Sequence, residues 1–402
     1  MIQENRSFDH YFGQLNDYRA TNGLPQDVDG LPASASNPAA NDSGAIRAFH
    51  LRTVCHEDLS SGWSPSHIDF NRLNPTSSTP AMDGFVWSAA KFAQDFGLND
   101  VAGLRAMGYY DAGDLPYYYF MASQFATSDR WFSPVLAQTQ PNRYYSFAAT
   151  SAGHVYDSLQ LPLANKTIFQ LLDENNISWK LYFTDRDDLG RPDTLFTHFS
   201  YFNAHPEKIV PVSAYLNDVA QGTLPAVALI EGGFHSALDE HPGADLQDGA
   251  AHVASLINAL MTSPSWKDSV FILTFDEGGG PFDHVPPPAA VHPDGIKPLD
   301  LQPGDVCTAG GANCDFDRYG FRVPLIVVSP FTRKNYVSHT IADFTAILKL
   351  IETRFKLPSL TRRDAAQIDM TEFFDFDKVP WRTPPAPPVQ PTVGACYFDS
   401  LP

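Results

Sequence analysis

Two acidic clusters stand far apart in this sequence. Glu4-Asn5-Arg6-Ser7-Phe8-Asp9-His10-Tyr11-Phe12-Gly13 packs carboxylates, an amide, an arginine and an imidazole among aromatics. Phe275-Asp276-Glu277-Gly278-Gly279-Gly280-Pro281-Phe282-Asp283-His284 repeats that mixture towards the other end. A fold that brings the two together surrounds something positively charged. Asp276-Glu277, followed by glycines, places two carboxylates where the backbone can turn sharply around a bound ion. Hard divalent cations favour such oxygens, and a nearby imidazole shifts the choice towards zinc, iron or manganese. Taken alone, the same pair also reads as solvated acids closing a strand.

A third polar patch, Gln138-Thr139-Gln140-Pro141-Asn142-Arg143, lies among aromatic residues. A threonine hydroxyl beside a metal ion loses its proton more readily and becomes a nucleophile, though an isolated Thr139 is an ordinary turn residue. Histidines gather near the acidic motifs: His56 and His67 around Gly62-Trp63-Ser64-Pro65, His235 and His241 around Ser236 to Glu240, and His284 after Asp283. Imidazole can ligate a metal, hold a phosphoryl oxygen or protonate a leaving group, and singly it is more often structural. No GxGxxG or Walker-type loop, HExxH or GxSxG occurs, so dinucleotide cofactors, nucleoside triphosphates and a serine triad lack support.

The net charge of −19 over 402 residues opposes nucleic-acid binding and electrostatic adhesion to anionic lipid. An anionic substrate then needs a local positive site, such as a metal ion. No apolar run is long enough to span a membrane. Of the four cysteines, Cys307 and Cys314 flank a short Gly-rich loop, a plausible small disulfide, which leaves Cys55 and Cys396 to pair by default. An even count without CxxC leans towards an oxidising compartment and an exported protein. Yet only Met1-Ile2-Gln3 precede the first motif, too few for a secretory signal.

The elements that must carry these groups follow from the apolar pattern. Helices are predicted from Ile168 to about Asn175, over 244–261 and over 340–355. Strands are predicted at 178–183, 226–230, 270–275 and 323–328. Such alternation predicts one α/β domain over 1–402 with a mostly parallel sheet and helices on both faces. Asp276-Glu277 then lies at a strand's carboxyl end, where ligands bind in such sheets. Residues 15–48 read as a loop-rich insertion, and about 383–402 as a stiff Pro-rich tail. The aromatics of 109–145 read as core or pocket wall.

The sequence resembles the bacterial phosphoesterase family of phosphatidylcholine-hydrolysing phospholipases C and related acid phosphatases. Four blocks carry the likeness in order: Gln3 to Gly13; Gln138 to Arg143; Asp239-Glu240-His241-Pro242; and Phe275 to Pro287. Supporting similarity runs through Arg322-Val323-Pro324 and Ser329-Pro330. The resemblance implies an alkaline-phosphatase-like three-layer α/β/α sandwich with a metal-assisted phosphoryl-transfer site. It implies Glu4, Thr139, Asp276 and Glu277 as ligands of a divalent ion (Ca, Zn or Mn), with Thr139 also the nucleophile. Asn5, His67 and His241 would hold phosphoryl oxygens, and His241 or His284 would protonate the leaving group; His198 ranks lower. In the family a hydrophobic strand precedes the Glu-Asn block, and here only Met1-Ile2 stand there. Many members have Trp where this sequence has Gln140, and threonine at 139 is similar to the phospholipase branch, where the phosphatases have serine.

The expected activity is hydrolysis of a phosphodiester, a phospholipid with a phosphocholine-like head group, through a phospho-threonine intermediate. The close rival is a phosphomonoesterase acting on small phosphate esters. A non-catalytic calcium-binding protein would keep the acids but has no need of Thr139 with several histidines.

Overall fold

A computed structural model describes residues 1–157 and 162–401. Its sheet strands are β1 (Ile2–Gln3), β2 (Ala126–Ser128), β3 (Trp179–Phe183), β4 (Ile209–Pro211), β5 (Val227–Ile230), β6 (Phe271–Phe275), β7 (Leu325–Val328) and β8 (Tyr336–Ser338). One five-stranded sheet has the order β1-β6-β7-β2-β8 and a three-stranded sheet the order β5-β3-β4. A parallel bridge between Ile2 and Glu231 joins the two through β1. Only β7 pairs antiparallel to its neighbours, so the combined sheet is mostly parallel.

Side-chain alternation on the strands explains the layers. On β3, Trp179 and Leu181 point into one apolar cluster and Tyr182 into another. Trp179 packs on Phe169 of helix α4 (Ile168–Glu174) with ring centroids 5.1 Å apart, and Tyr182 on Tyr215 of α5 (Val212–Gln221) at 5.6 Å. Helix α6 (Leu246–Met261) joins α5 on its face, while α3 (Thr139–Ala148) packs beside α4 and α7 (Thr345–Phe355) packs beside α3. Helices therefore cover both faces of the sheet, the expected α/β/α sandwich.

The predicted elements fall within a few residues of their places, with one larger shift. Helix α7 begins at Thr345 rather than at 340, because Ala342–Asp343 pair as a short parallel strand with Trp131–Phe132. Asp343 accepts from Thr345 N at 2.8 Å and meets Arg363 at 3.0 Å, which fixes it ahead of the helix. The loop-rich segment 15–48 holds a short helix, Leu15–Thr21, and a hairpin of Ser36–Pro38 with Ala45–Arg47. Tyr110, Tyr117, Tyr118, Tyr119, Tyr144 and Tyr145 are buried in the core. Among the described residues no helix is long and apolar enough to cross a membrane.

Cys307 is bonded to Cys314 and Cys55 to Cys396, the pairing expected from the sequence. The second bond closes a separation of 341 residues and ties the tail to the segment at Thr53–Cys55, which also takes backbone bonds from it. Closing so long a loop restricts the unfolded chain strongly. Replacing Cys55 with serine should lower stability by about 2–5 kcal/mol. Thermal unfolding of C55S and of the wild type, with and without reductant, tests this: reductant should shift the wild type and barely move the variant's dominant transition.

Candidate active site

Three adjacent parallel strands, β5, β1 and β6, end side by side, and the residue after each is acidic: Glu231, Glu4 and Asp276. Arg143 projects into this row from the second turn of α3. Its guanidinium lies 2.6 Å from Glu4 Oε1, 3.3 Å from Asp276 Oδ2 and 3.8 Å from Glu231 Oε1. Thr139 opens the same helix, four residues earlier and so on the same face. The turn before it is fixed by Asn142, which accepts from Val135 N at 3.0 Å and donates to Ala137 O at 2.6 Å.

Thr139 Oγ1 donates to Glu4 Oε2 at 3.1 Å. Asn5 takes a left-handed backbone (φ 56°), a conformation asparagine tolerates better than most residues, and its amide lies 3.4 Å from Thr139 Oγ1. Oriented to satisfy both its ends, that amide donates to Glu277 Oε1 at 2.7 Å and Glu4 Oε2 at 3.0 Å, and its oxygen accepts from His241 Nε2 at 3.2 Å. The backbones of the two motifs touch here. A Cβ on Gly279 would fall 2.0 Å from Asn5 O, so only glycine permits the approach. Asp276 Oδ1 accepts from the amides of Asn5 at 2.9 Å and Glu277 at 2.8 Å, which locks the acidic pair onto β1.

His241 reaches the same point from the turn after β5. Its Nδ1 is 3.8 Å from Glu4 Oε2 and, though buried, has no hydrogen-bond partner. Asp58 Oδ2 lies 4.0 Å from its Nε2, and the exposed Phe234 ring is 5.6 Å from its centroid.

The structure thus brings together Glu4, Asn5, Thr139, His241, Asp276 and Glu277. Two expected members sit elsewhere. Both ring nitrogens of His67 lie on backbone carbonyls, Nδ1 at 2.7 Å from Trp63 O and Nε2 at 2.8 Å from Asn313 O, which leaves neither for a phosphoryl oxygen. His284 joins a buried ion network: Nδ1 is 2.6 Å from Asp9 Oδ2, Nε2 is 3.2 Å from Asp29 Oδ1, and Arg322 binds Asp9 and Asp283 at 2.9 Å each. Burial disfavours the charged ring of His284, but Asp9 outweighs it and raises the pKa. His198 touches the site indirectly, its Nδ1 2.9 Å from the Tyr144 hydroxyl, which donates to Gln140 at 3.0 Å. His56 lies buried against Arg6, and His235 pairs at the surface with Asp193 at 3.1 Å. Arg143 and Glu231 join the site without having been expected from the sequence. The signals were present: Arg143 is four residues from Thr139, and Glu231 ends a strand as Asp276 does.

Burial raises the pKa of Glu4 against the opposing pull of Arg143; it also raises that of Asp276, with Glu4 adding, and that of Glu277, with Asp276 adding. Glu231 is raised by burial as well, and both Glu231 Oε2 and Asp239 Oδ2 are buried without partners. One guanidinium does not balance this many carboxylates, so the site suits a further cation. Glu4, Asp276, Glu277 and the Thr139 hydroxyl form an all-oxygen donor set fit for a divalent ion. Among the described residues, the triplets whose ligand atoms gather within 4.8 Å lie elsewhere, at Asp9–Asp283–His284 and His50–Asp111–Asp114. Arg322 already fills the first.

A family model described as "Phosphoesterase family" matches residues 1–358. Non-specific phospholipase C1 of Arabidopsis thaliana is 31% identical over 395 residues, covering 91% of this chain and 68% of the relative. Phospholipase C B of Mycobacterium tuberculosis is 29% identical over 452 residues, covering 100% of this chain and 80% of the relative. A Vibrio parahaemolyticus structure, described as a protein in the alkaline phosphatase superfamily, aligns at TM-score 0.40 and 12% identity over 89% of this chain and 78% of that one.

Arg143 is the charge on which the acidic row depends. Arg143→Met should destabilise the fold by about 3–5 kcal/mol near neutral pH, since it strands buried carboxylates. The acids already have raised pKa values and would rise further without the guanidinium, so protonation relieves the penalty as pH falls. Denaturant unfolding should show a smaller difference from wild type at pH 5 than at pH 8. An equal loss at both values would show that charge compensation is not what Arg143 provides.

Proposed function

The chain belongs to the phosphoesterase family and is a hydrolase acting on phosphoric esters, and we propose that its substrate is a phosphodiester, cleaved in the manner of a phospholipase C. The observation that carries this reading is the Thr139 hydroxyl. It stands at the N-terminus of a ten-residue helix, hydrogen-bonded to Glu4 at 3.1 Å and 3.4 Å from the Asn5 amide, which in turn meets His241 at 3.2 Å. A helix N-terminus favours a phosphoryl group through its free amides and dipole.

In the proposed reaction Thr139 Oγ1 forms a bond to phosphorus as the bond to the leaving alcohol breaks. The threonine proton passes along its hydrogen bond to Glu4 Oε2 and returns to Oγ1 when water later displaces it. His241, with one buried nitrogen unpartnered, delivers a proton to the leaving oxygen. Asn5 turns its amide towards the phosphoryl oxygens. Water then splits the phospho-threonine, releasing the phosphorylated head group and restoring the hydroxyl. A divalent ion held by Glu4, Asp276, Glu277 and Thr139 would supply positive charge for the phosphoryl oxygens and acidify the threonine. The ion network around His284 favours an anchoring role, which leaves His241 as the acid.

The head group we favour is cationic, of the phosphocholine type. Asp58 and the exposed ring of Phe234 both flank His241, a carboxylate and an aromatic face suited to a quaternary ammonium. A phospholipid substrate accords with the named activity of the relatives.

Hydrolysis of nitrophenyl phosphorylcholine and nitrophenyl phosphate, with and without chelator, tests the reading. The diester should be preferred, chelation should abolish turnover, and Thr139→Ala should reduce kcat at least about 10³-fold. Preference for the monoester would move the assignment to a phosphomonoesterase, and no hydrolysis of either with any metal would overturn it. His241→Asn should lose about 10²- to 10⁴-fold in kcat. His284→Asn should mainly lower the melting temperature; equal kinetic losses for the two would contradict the division of roles.

A further inference from the structure

The turn that carries His241 also holds a buried acid with no task in the reaction above. Glu240 is fully shielded from solvent and sits in left-handed backbone (φ 68°), which is unfavourable for a glutamate. Its carboxylate accepts hydrogen bonds from three neutral donors: the Tyr11 hydroxyl at 2.8 Å, Gln3 Nε2 at 3.1 Å and the Tyr118 hydroxyl. Arg6 meets its carbonyl oxygen instead, through Nε at 2.9 Å and Nη2 at 2.6 Å. Gly249 makes room beneath, since a Cβ there would lie 2.3 Å from Glu240 Cγ. Burial raises the pKa of this acid to about 7 against the pull of the hydrogen bonds it accepts.

These donors belong to the elements that build the site. Gln3 is the last residue of β1, immediately before Glu4, and its Nε2 also donates to Leu238 O at 2.9 Å. Glu4 N donates to Asp239 O at 2.9 Å. Tyr11 comes from helix α1 (Phe8–Phe12) and Tyr118 from α2 (Pro116–Gln124). The turn bearing His241 is therefore fastened to the end of β1 and to Glu4 just ahead of the acid. An apolar side chain would fill the same volume without removing a carboxylate from water, so packing alone does not explain the choice.

We propose that Glu240 is a positioning residue, which holds the His241 turn against β1 and thereby sets the imidazole relative to Glu4 and Thr139. The inference rests on His241 acting in the reaction, and it is tested by a measurement that needs no turnover. In wild type and Glu240→Gln, the position of the His241 ring is determined by crystallography without substrate, alongside kcat, KM and melting temperature. The glutamine keeps the shape but turns one acceptor into a donor facing hydroxyl and amide donors. The ring should then shift relative to Glu4 and Asp58, the acids that face it at 3.8 Å and 4.0 Å.

The expected result is a His241 ring displaced by about 0.5 Å or more from its place beside Glu4. With it should come a kcat lowered about 10- to 100-fold at nearly constant KM, the range typical of lost supporting contacts. A ring position and kcat that superimpose on wild type, even with a lowered melting temperature, would overturn the proposal and leave Glu240 a plain core residue. Should Glu240→Gln not fold, Tyr118→Phe removes a single donor; a smaller displacement of the His241 ring supports the inference, and none overturns it. If the wild type hydrolyses no ester, the ring position still decides the positioning role separately.

Discussion

Arg143 is buried against three carboxylates that arrive from three neighbouring strands, and the acidic row cannot exist without it. Each acid follows the last residue of its strand, so the parallel sheet itself delivers them side by side. Burial makes the charged forms unfavourable, as the raised pKa values of Glu4, Asp276 and Glu231 record. Burial also works against the guanidinium, but Glu4, Asp276 and Glu231 outweigh it and raise its pKa, so it stays charged. Its planar fork meets two of the acids within 3.3 Å, a geometry an ammonium does not reproduce. Glu277 and Asp239 add further carboxylates to the row, more than one guanidinium balances.

The two histidines expected as acid catalysts sit in different environments, which is why the proposal gives that role to His241. His284 is held between Asp9 and Asp29, with Arg322 behind, so both its nitrogens have partners. A ring so committed strengthens the fold around α1 and has no nitrogen to spare. His241 has one nitrogen on the Asn5 amide and another facing Glu4 across 3.8 Å with no hydrogen bond. Space and an unsatisfied nitrogen, more than proximity to acids, distinguish a group able to exchange a proton.

The layered fold was legible because its strands are short apolar runs and its helices keep a regular apolar spacing. Asp276 and Glu277 could be placed at a strand end for the same reason. The start of α7 was misjudged because Ile341 and Phe344 continue the helical spacing while Asp343 belongs to a contact with Arg363 formed only in the folded chain. His67 was expected on a phosphoryl oxygen from the family resemblance, whereas its ring is turned onto the carbonyls of Trp63 and Asn313. Such partners are set by tertiary packing and leave no local trace. Arg143 is a different case: it went unassigned, although it stands four residues from Thr139 and residues four apart share a helix face.

The tail takes part in this arrangement through a continuous set of contacts. Cys396 holds Cys55, and the Val54 amide pairs with Ala395. The next residue, His56, lies against the Arg6 guanidinium, which also touches His10 and grips the Glu240 carbonyl. Asp58, two residues further on, faces His241 across 4.0 Å. A bond between positions 341 residues apart thus fixes one wall of a site whose acids come from the sheet. Strand ends hold their charges in place through hydrogen-bond ladders, but a loop such as 53–62 has no ladder of its own. The disulfide supplies the constraint that the loop lacks, which is why a tail without catalytic residues bears on catalytic geometry.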